Sequence, residues 1–242
     1  MNDEKLYQIW VYLQSEPLFW LTLTLGAYIT GEKVYKSSKL FPLFNPVAIS
    51  IIIISTILIF FNVSYERYFS GAKFVHFLLG PVTVALAIPI YKKWELIKSY
   101  SLAMIVSLFI GCSFAIISCY LMSVYLIDDN QIVLTLLPRN VTAPIAMGIS
   151  ELIGGIPSVT AIVTIITGII GAAFGTFFLD LLKLKNMSAR GFGLGLGSHG
   201  IGTARAMSRD ENAGVFAAVA MGLSGIVTSL LIPIFLKLLS II

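Results

Sequence analysis

Four stretches of this chain run for at least a membrane's thickness without one charged side chain. Leu40 to Tyr65 is charge-free over 26 positions, Ser99 to Ile127 over 29, Leu152 to Leu179 over 28 and Asn212 to Leu236 over 25. A helix needs about 20 apolar residues to cross the hydrocarbon core of a bilayer. Each of the four is therefore read as a transmembrane helix. Composition agrees: 57% of the 242 residues are hydrophobic and 12% are charged, against roughly 25% charged in a soluble domain. A water-soluble globule of this make-up would carry one large apolar patch. A disordered chain, a nucleic-acid-binding domain and a secreted disulfide scaffold are excluded on the same ground.

Four further apolar stretches are short or interrupted. Pro17 to Gly31 spans 15 residues. Phe74 to Tyr91 contains Gly80, Pro81 and Pro89. Asn130 to Ser150 is broken by Pro138, Arg139 and Pro144, and Gly191 to Ala204 holds six glycines and His199. That makes eight expected membrane segments, four plain and four irregular. Irregular segments at matching places in two halves are a sequence pointer to a transporter site. Leu79 to Ala87 lines up with Leu196 to Ala204 at an offset of 117, and Phe41 to Val47 lines up loosely with Ile153 to Val159 at about 112. The expected architecture is all-α and polytopic, one integral membrane domain over residues 1–242. It has two repeats, about 17–127 and 130–242, read as inverted, each with a broken helix meeting at mid-membrane.

Charge tests the orientation. Basic clusters lie at Lys33/Lys36/Lys39, Lys92/Lys93/Lys98 and Lys183/Lys185/Arg190, with Asp128-Asp129 elsewhere. All three clusters fall on the cytoplasmic side if Asn130 to Ser150 does not cross fully. Phe74 to Tyr91 and Gly191 to Ala204 then run in opposite directions.

The residues able to carry chemistry concentrate in Gly191 to Ala206. Each glycine weakens a helix by about 1 kcal/mol, so six of them do not make an ordinary spanning helix. Irregular backbone inside a membrane survives only where protein buries it or water reaches it. Freed N–H groups at Gly197 to Gly200 would attract an anion. Ser198, His199 and Thr203 add polar groups and Arg205 adds a permanent positive charge. The bland alternative is close helix packing through small residues, which explains glycines but not serine, histidine, threonine and arginine among them. Gly195-Leu196-Gly197-Ser198-His199-Gly200 matches a dinucleotide fingerprint in spelling only, because no strand precedes it. Adjacent Ser198 and His199 point apart and form no catalytic dyad.

Arg139 between apolar runs is the second candidate, with Asn140 and Thr142 beside it. A charge at membrane depth costs about 2.5–3.5 kcal/mol on insertion scales; the bland reading places it at the water interface. Gly80 and Thr83 are expected to line the other half of a site. Cys112 and Cys119 lie seven residues apart on one helix, about 10 Å of rise, too far for a disulfide. Two histidines and two such cysteines make no metal site. No cofactor, no nucleic acid and no enzymatic activity are expected.

At these residues the chain resembles the LrgB/CidB family of bacterial membrane proteins. The resemblance rests on Phe77 to Pro89, Leu137 to Ala146, Ile153 to Pro157 and Gly197 to Ala206, the last being the most specific. Asn140 stands where the family pattern has serine, and Thr142-Ala143 where it has two hydroxyl residues, which implies a weaker hydroxyl lining. The resemblance implies a multi-pass protein of the bacterial cell membrane and two functional stories. One is an antiholin-like or holin-like modulator of murein hydrolase export and autolysis, acting with a small LrgA/CidA-like membrane protein. The other is transport of small carboxylates such as pyruvate or glycolate, on an architecture similar to that of cation–proton antiporters and bile-acid symporters. On the transport reading, half-helix N-termini at Gly80 and Gly197 to Gly200 hold the carboxylate. Thr83 and Thr203 hydrogen-bond it, Arg205 or Arg139 neutralises it, and His199 couples to protons. A homodimer is the expected assembly.

Overall fold

In the computed structural model, residues 12–38 and 44–241 are described, apart from the side chains of residues 79, 80, 82 and 83. The elements among them are helices. The chain divides into two compact units, residues 1–85 and 86–242. A compact unit is defined by contacts and a repeat by chain order, so this boundary does not bear on the repeat expected to change over near Ile127.

The first unit holds α1 (Pro17–Ser37), α2 (Pro46–Phe60) and α3 (Tyr65–Ala85). Proline opens both α1 and α2, where its missing N–H is not needed. Asn45 caps α2 by accepting from the Val47 N–H at 2.8 Å. Gly31 brings α1 against the Pro46 backbone, and Gly71 brings α3 against Pro17 and Trp20. The expected 26-residue crossing from Leu40 to Tyr65 is corrected here. Its helix is α2, 15 residues long, about 22 Å at 1.5 Å per residue and short of a 30 Å core. Asn62, at a φ of 50°, ends it; residues 39–43 lie outside the described residues. Gly80 and Thr83 sit on α3, which also contains Pro81. Their side chains are outside the described residues.

The second unit is built on three helices long and apolar enough to cross a membrane: α6 (Ser101–Leu126), α9 (Pro157–Leu181) and α11 (Glu211–Leu238). Two short helices, α4 (Ala87–Lys92) and α5 (Trp94–Ser99), precede them. The rings of Tyr100 and Phe216 meet at 5.7 Å and those of Tyr120 and Phe235 at 5.3 Å, so α6 and α11 run parallel. Lys93 pairs with Glu211 at 3.9 Å and Arg190 with Asp180. Lys92, Lys93, Lys98, Lys183, Lys185, Arg190 and Arg209 thus gather where α6 and α11 begin and α9 ends. This is called the basic end below. Asp128, Asp129 and Glu151 lie at the opposite, acidic end, together with Lys237.

Asn130 to Ser150 does not cross. It forms α7 (Asn130–Leu136), a turn at residues 137–142 and α8 (Ala143–Leu152). The segment enters and leaves at the acidic end. Thr160, on the first turn of α9, joins both limbs. Its hydroxyl donates to the Thr135 carbonyl at 2.8 Å and lies 2.7 Å from the Ser150 hydroxyl. The Ile156 N–H donates to Thr135 Oγ1 at 2.9 Å. All three side chains are fully buried. Thr160→Val would strand the Ser150 hydroxyl and the Thr135 carbonyl, each worth about 1–3 kcal/mol when buried without a partner. Thermal unfolding in detergent should show that loss, and an unchanged melting temperature would refute it.

Candidate functional site

The glycine-rich stretch forms α10 (Met187–Met207), and its backbone breaks inside the helix at His199, where φ is 42° and ψ is −129°. A side-chain-bearing residue rarely adopts such angles. The chain doubles back there. A Cβ on Gly202 would strike the Leu194 carbonyl oxygen, eight residues earlier; a straight helix separates such residues by about 12 Å. Neighbouring contacts follow the same course. Gly191 and Gly195 press on the backbone of Ala213 and Ala217, a parallel register. On the return limb Thr203 reaches Met221 Sδ at 3.7 Å and Met207 lies against Gly214, an antiparallel register. Gly191 to Ala204 is therefore a re-entrant hairpin from the basic end, which corrects the expectation of a broken crossing helix.

The two hairpins enter from opposite ends and stop part-way along the same helices. At the tip of the first, Asn140 Nδ2 donates to Thr228 Oγ1 at 3.4 Å. At the tip of the second, Gly200 and Thr203 face Met221. Met221 and Thr228 are seven residues apart on α11, about 10 Å, and each lies about 15 Å from its own end of that helix. The tips also share one turn of α9. His199 Nε2 lies 2.9 Å from the Thr164 carbonyl oxygen; a carbonyl only accepts, so the ring carries its proton on Nε2. Arg139 shares a cleft with Val163 and Thr167.

Sequence explains the second seat. A Cβ on Gly168 would come within 2.7 Å of His199 Nε2, and one on Gly171 would overlap Ser198 Oγ. Bare glycines on α9 thus make room for the imidazole and the serine. Ser198 and His199 thus lie against glycines one turn apart on α9. Thr203 Oγ1 donates to the His199 carbonyl at 2.8 Å and tightens the first turn after the break.

The expected site residues sort as follows. Asn140, Ser198, His199 and Thr203 are buried at or beside the tips. Arg139 is half-buried beside the first tip. Thr142 precedes α8 and makes no side-chain capping bond. Gly200 adjoins Met221, whereas a Cβ on Gly197 would meet nothing within 4 Å. Arg205 is buried on the return limb, six residues and about 9 Å from the tip toward the basic end. Gly80 and Thr83 belong to the first unit, so the geometry here rests on the second alone. Thr164 and Thr228 had no signal in the sequence, since threonines in apolar helices are common. The spacing of Gly168, Gly171 and Gly175 did carry one, the small-residue pattern of close helix packing.

Each tip also presents the start of a helix. Residues 143 and 200 begin α8 and the return limb of α10, and free N–H groups with the positive dipole end gather there. Among the described residues, four buried oxygens have no hydrogen-bond partner: Asn140 Oδ1 and Thr164 Oγ1 at the tips, and Thr176 Oγ1 and Asn212 Oδ1 elsewhere. No cluster of metal-binding side chains occurs among the described residues.

The sequence profile of the LrgB-like family matches residues 24–238. The chain is 36% identical to the YwbG protein of Bacillus subtilis over 219 residues, 90% of this chain and 96% of that one. It is 34% identical to the YxaC protein of the same species over 214 residues, 88% and 93% of the two chains. It is 32% identical to the antiholin-like protein LrgB of Bacillus cereus over 220 residues, 91% and 96% of the two chains. No solved structure matches.

Proposed function

The chain belongs to the LrgB-like family of membrane proteins, and from that footing we propose that it is a secondary transporter of small monocarboxylates, the pyruvate, glycolate and acetate class. The observation that carries this reading is the pair of hairpins entering from opposite ends, with tips about 10 Å apart along α11. Discontinuous helices at mid-membrane aim their N-terminal dipoles at anionic substrate groups. Such an arrangement gives an anion two positive helix ends, hydroxyls from Thr164 and Thr228, and the cation Arg139 nearby. Carboxylates of the second unit all lie toward the helix ends, so none competes with the substrate. The excess of lysine and arginine at the basic end, seven against Lys237 at the other, favours placing that end in the cytoplasm of a bacterial cell membrane.

The name of the Bacillus cereus relative favours a second reading, an antiholin-like modulator of autolysis acting with an LrgA/CidA-like partner. The two readings part in one assay. Purified protein in proteoliposomes is given labelled pyruvate, glycolate or acetate, with and without the partner, beside an Arg139→Gln control. Saturable uptake, lost in the control while the protein stays monodisperse, is the expected result. No uptake under any ion gradient, with or without the partner, would leave the second reading.

A further inference from the structure

A groove of about 300 Å³ opens on the surface of the second unit between α6, the end of α9 and the ingoing limb of α10. Its floor is Met104, Phe192 and Phe216, each at most 7% exposed. A Cβ on Gly193 would meet nothing within 4 Å, so the space above the floor is open. From Ser188 to Leu196 the groove follows α10 for eight residues, about 12 Å, close to the depth of one leaflet of a roughly 30 Å core. Tyr100, Asn186 and Ser188 lie at its mouth, because α6 and α10 begin at the basic end; past the mouth the lining is apolar except for Ser107. The loop that frames the mouth is fixed in place. Arg190 pairs with Asp180 at 2.6 Å and donates to the Leu184 carbonyl at 2.8 Å, and Asn186 accepts from the Ala189 N–H at 3.0 Å. From Asp180 to Arg190 the chain carries Lys183, Lys185 and Arg190 against one carboxylate. Lys183 and Lys185 are exposed and, among the described residues, pair with no carboxylate.

We propose that this groove binds an anionic phospholipid, with one acyl chain along Phe192 and Leu196 and the phosphate at Lys183 and Lys185. A substrate site must exclude the membrane, whereas a lipid site must open to it, as this groove does with Ala103, Ser107 and Gly193 exposed along it. Acyl chains are as apolar as leucine, so the apolar floor by itself draws no particular lipid out of the bilayer. The lysines supply the selection, since each basic residue near the membrane surface favours an anionic headgroup by roughly fivefold. The net positive loop thus matches phosphatidylglycerol and not a zwitterionic lipid. The depth of the groove argues against a helix as its occupant. A spanning helix needs a track through both leaflets, about 30 Å, and this one ends at Leu196, before the break at His199. A chain seated there covers the open side of the ingoing limb at Gly193, while Gly191 and Gly195 press the other side on α11. Lipid and α11 then clamp the limb between them. The inference is independent of what the protein carries.

The test uses the purified full chain in detergent, to which dioleoyl phosphatidylglycerol or dioleoyl phosphatidylcholine is added. Retained lipid is counted by native mass spectrometry, and Tm is followed in parallel. Phosphatidylglycerol should bind about tenfold more tightly than phosphatidylcholine, or better, and should raise Tm. Lys183→Gln combined with Lys185→Gln should remove that preference and leave the lipid-free Tm unchanged. Gly193→Trp, which fills the groove, should weaken phosphatidylglycerol binding about tenfold. Should that variant fail to fold, Ser107→Trp on the facing wall gives the same readout, and should neither fold, the lysine pair decides alone. Equal binding of the two lipids by the wild type would overturn the inference, as would phosphatidylglycerol binding indifferent to the lysine pair or to the tryptophan. A tryptophan variant that changes the oligomeric state while lipid binding persists would assign the groove to a second copy of the chain and overturn it too.

Discussion

Gly195→Val is expected to prevent the protein from reaching its folded state, while Gly197→Ala, two residues on, is expected to leave it intact. Both glycines lie on the ingoing limb of α10, and sequence alone does not separate them. A Cβ on Gly195 would overlap the carbonyl of Ala217, and one on Gly191 would overlap that of Ala213. The obstacle in each case is backbone, which cannot rotate aside as a side chain can. Overpacking of a tight core typically costs 1–3 kcal/mol and occasionally more, and here the whole hairpin must lift from α11. A loss of roughly 3 kcal/mol or more is a large share of the stability of an ordinary domain. Around Gly193 and Gly197 nothing stands within 4 Å of the added methyl. There alanine improves helix propensity by about 1 kcal/mol. The yield of monodisperse protein and its melting temperature in detergent check both statements. A well-folded Gly195→Val, or a collapsed Gly197→Ala, would contradict the close parallel packing of α10 on α11.

His199→Ala is expected to lower carboxylate uptake by about a hundredfold, and His199→Gly to do the same while folding better than His199→Ala. The histidine occupies backbone angles natural to glycine, a strain of about 1–3 kcal/mol. It is held there by burial and by the bond from Nε2 to the Thr164 carbonyl. Glycine relieves the strain and alanine does not, so the two variants should differ in melting temperature. Neither can seat the hairpin tip on α9, so both should fail in transport. If His199→Gly transports normally, the imidazole serves the fold and not the site. If His199→Gly is far less stable than His199→Ala, the backbone at 199 is not strained.

The contrast between Gly195 and Gly197 shows how far the residues can be read alone. Long charge-free runs located three of the four crossings to within two residues at every end but one, Leu152 against Pro157, because twenty apolar side chains in sequence leave the backbone no alternative to a helix in lipid. Leu40 to Tyr65 failed, since absence of charge does not make a helix long, and Pro46 and Asn62 set the length of α2. The break near His199 was legible from the density of glycines around it. The lysine clusters at 92–98 and 183–190 foretold that Asn130 to Ser150 turns back within the membrane. What sequence could not give is direction after the break. Glycines permit either a kinked crossing or a reversal, and the difference lies in which surfaces receive the limbs. Ala213 and Ala217, Met221, and the row of Gly168 and Gly171 receive them from more than ten residues away along the chain. The amino-acid sequence by itself determined that this chain is an all-helical membrane protein with short, interrupted segments among its plain ones, and it paired Gly191 to Ala204 with Phe74 to Tyr91. Only the tertiary structure decided that Gly191 to Ala204 re-enters opposite Asn130 to Ser150 and brings His199 and Asn140 to neighbouring levels of α9 and α11, because packing between distant residues chooses among the paths that local chemistry leaves open.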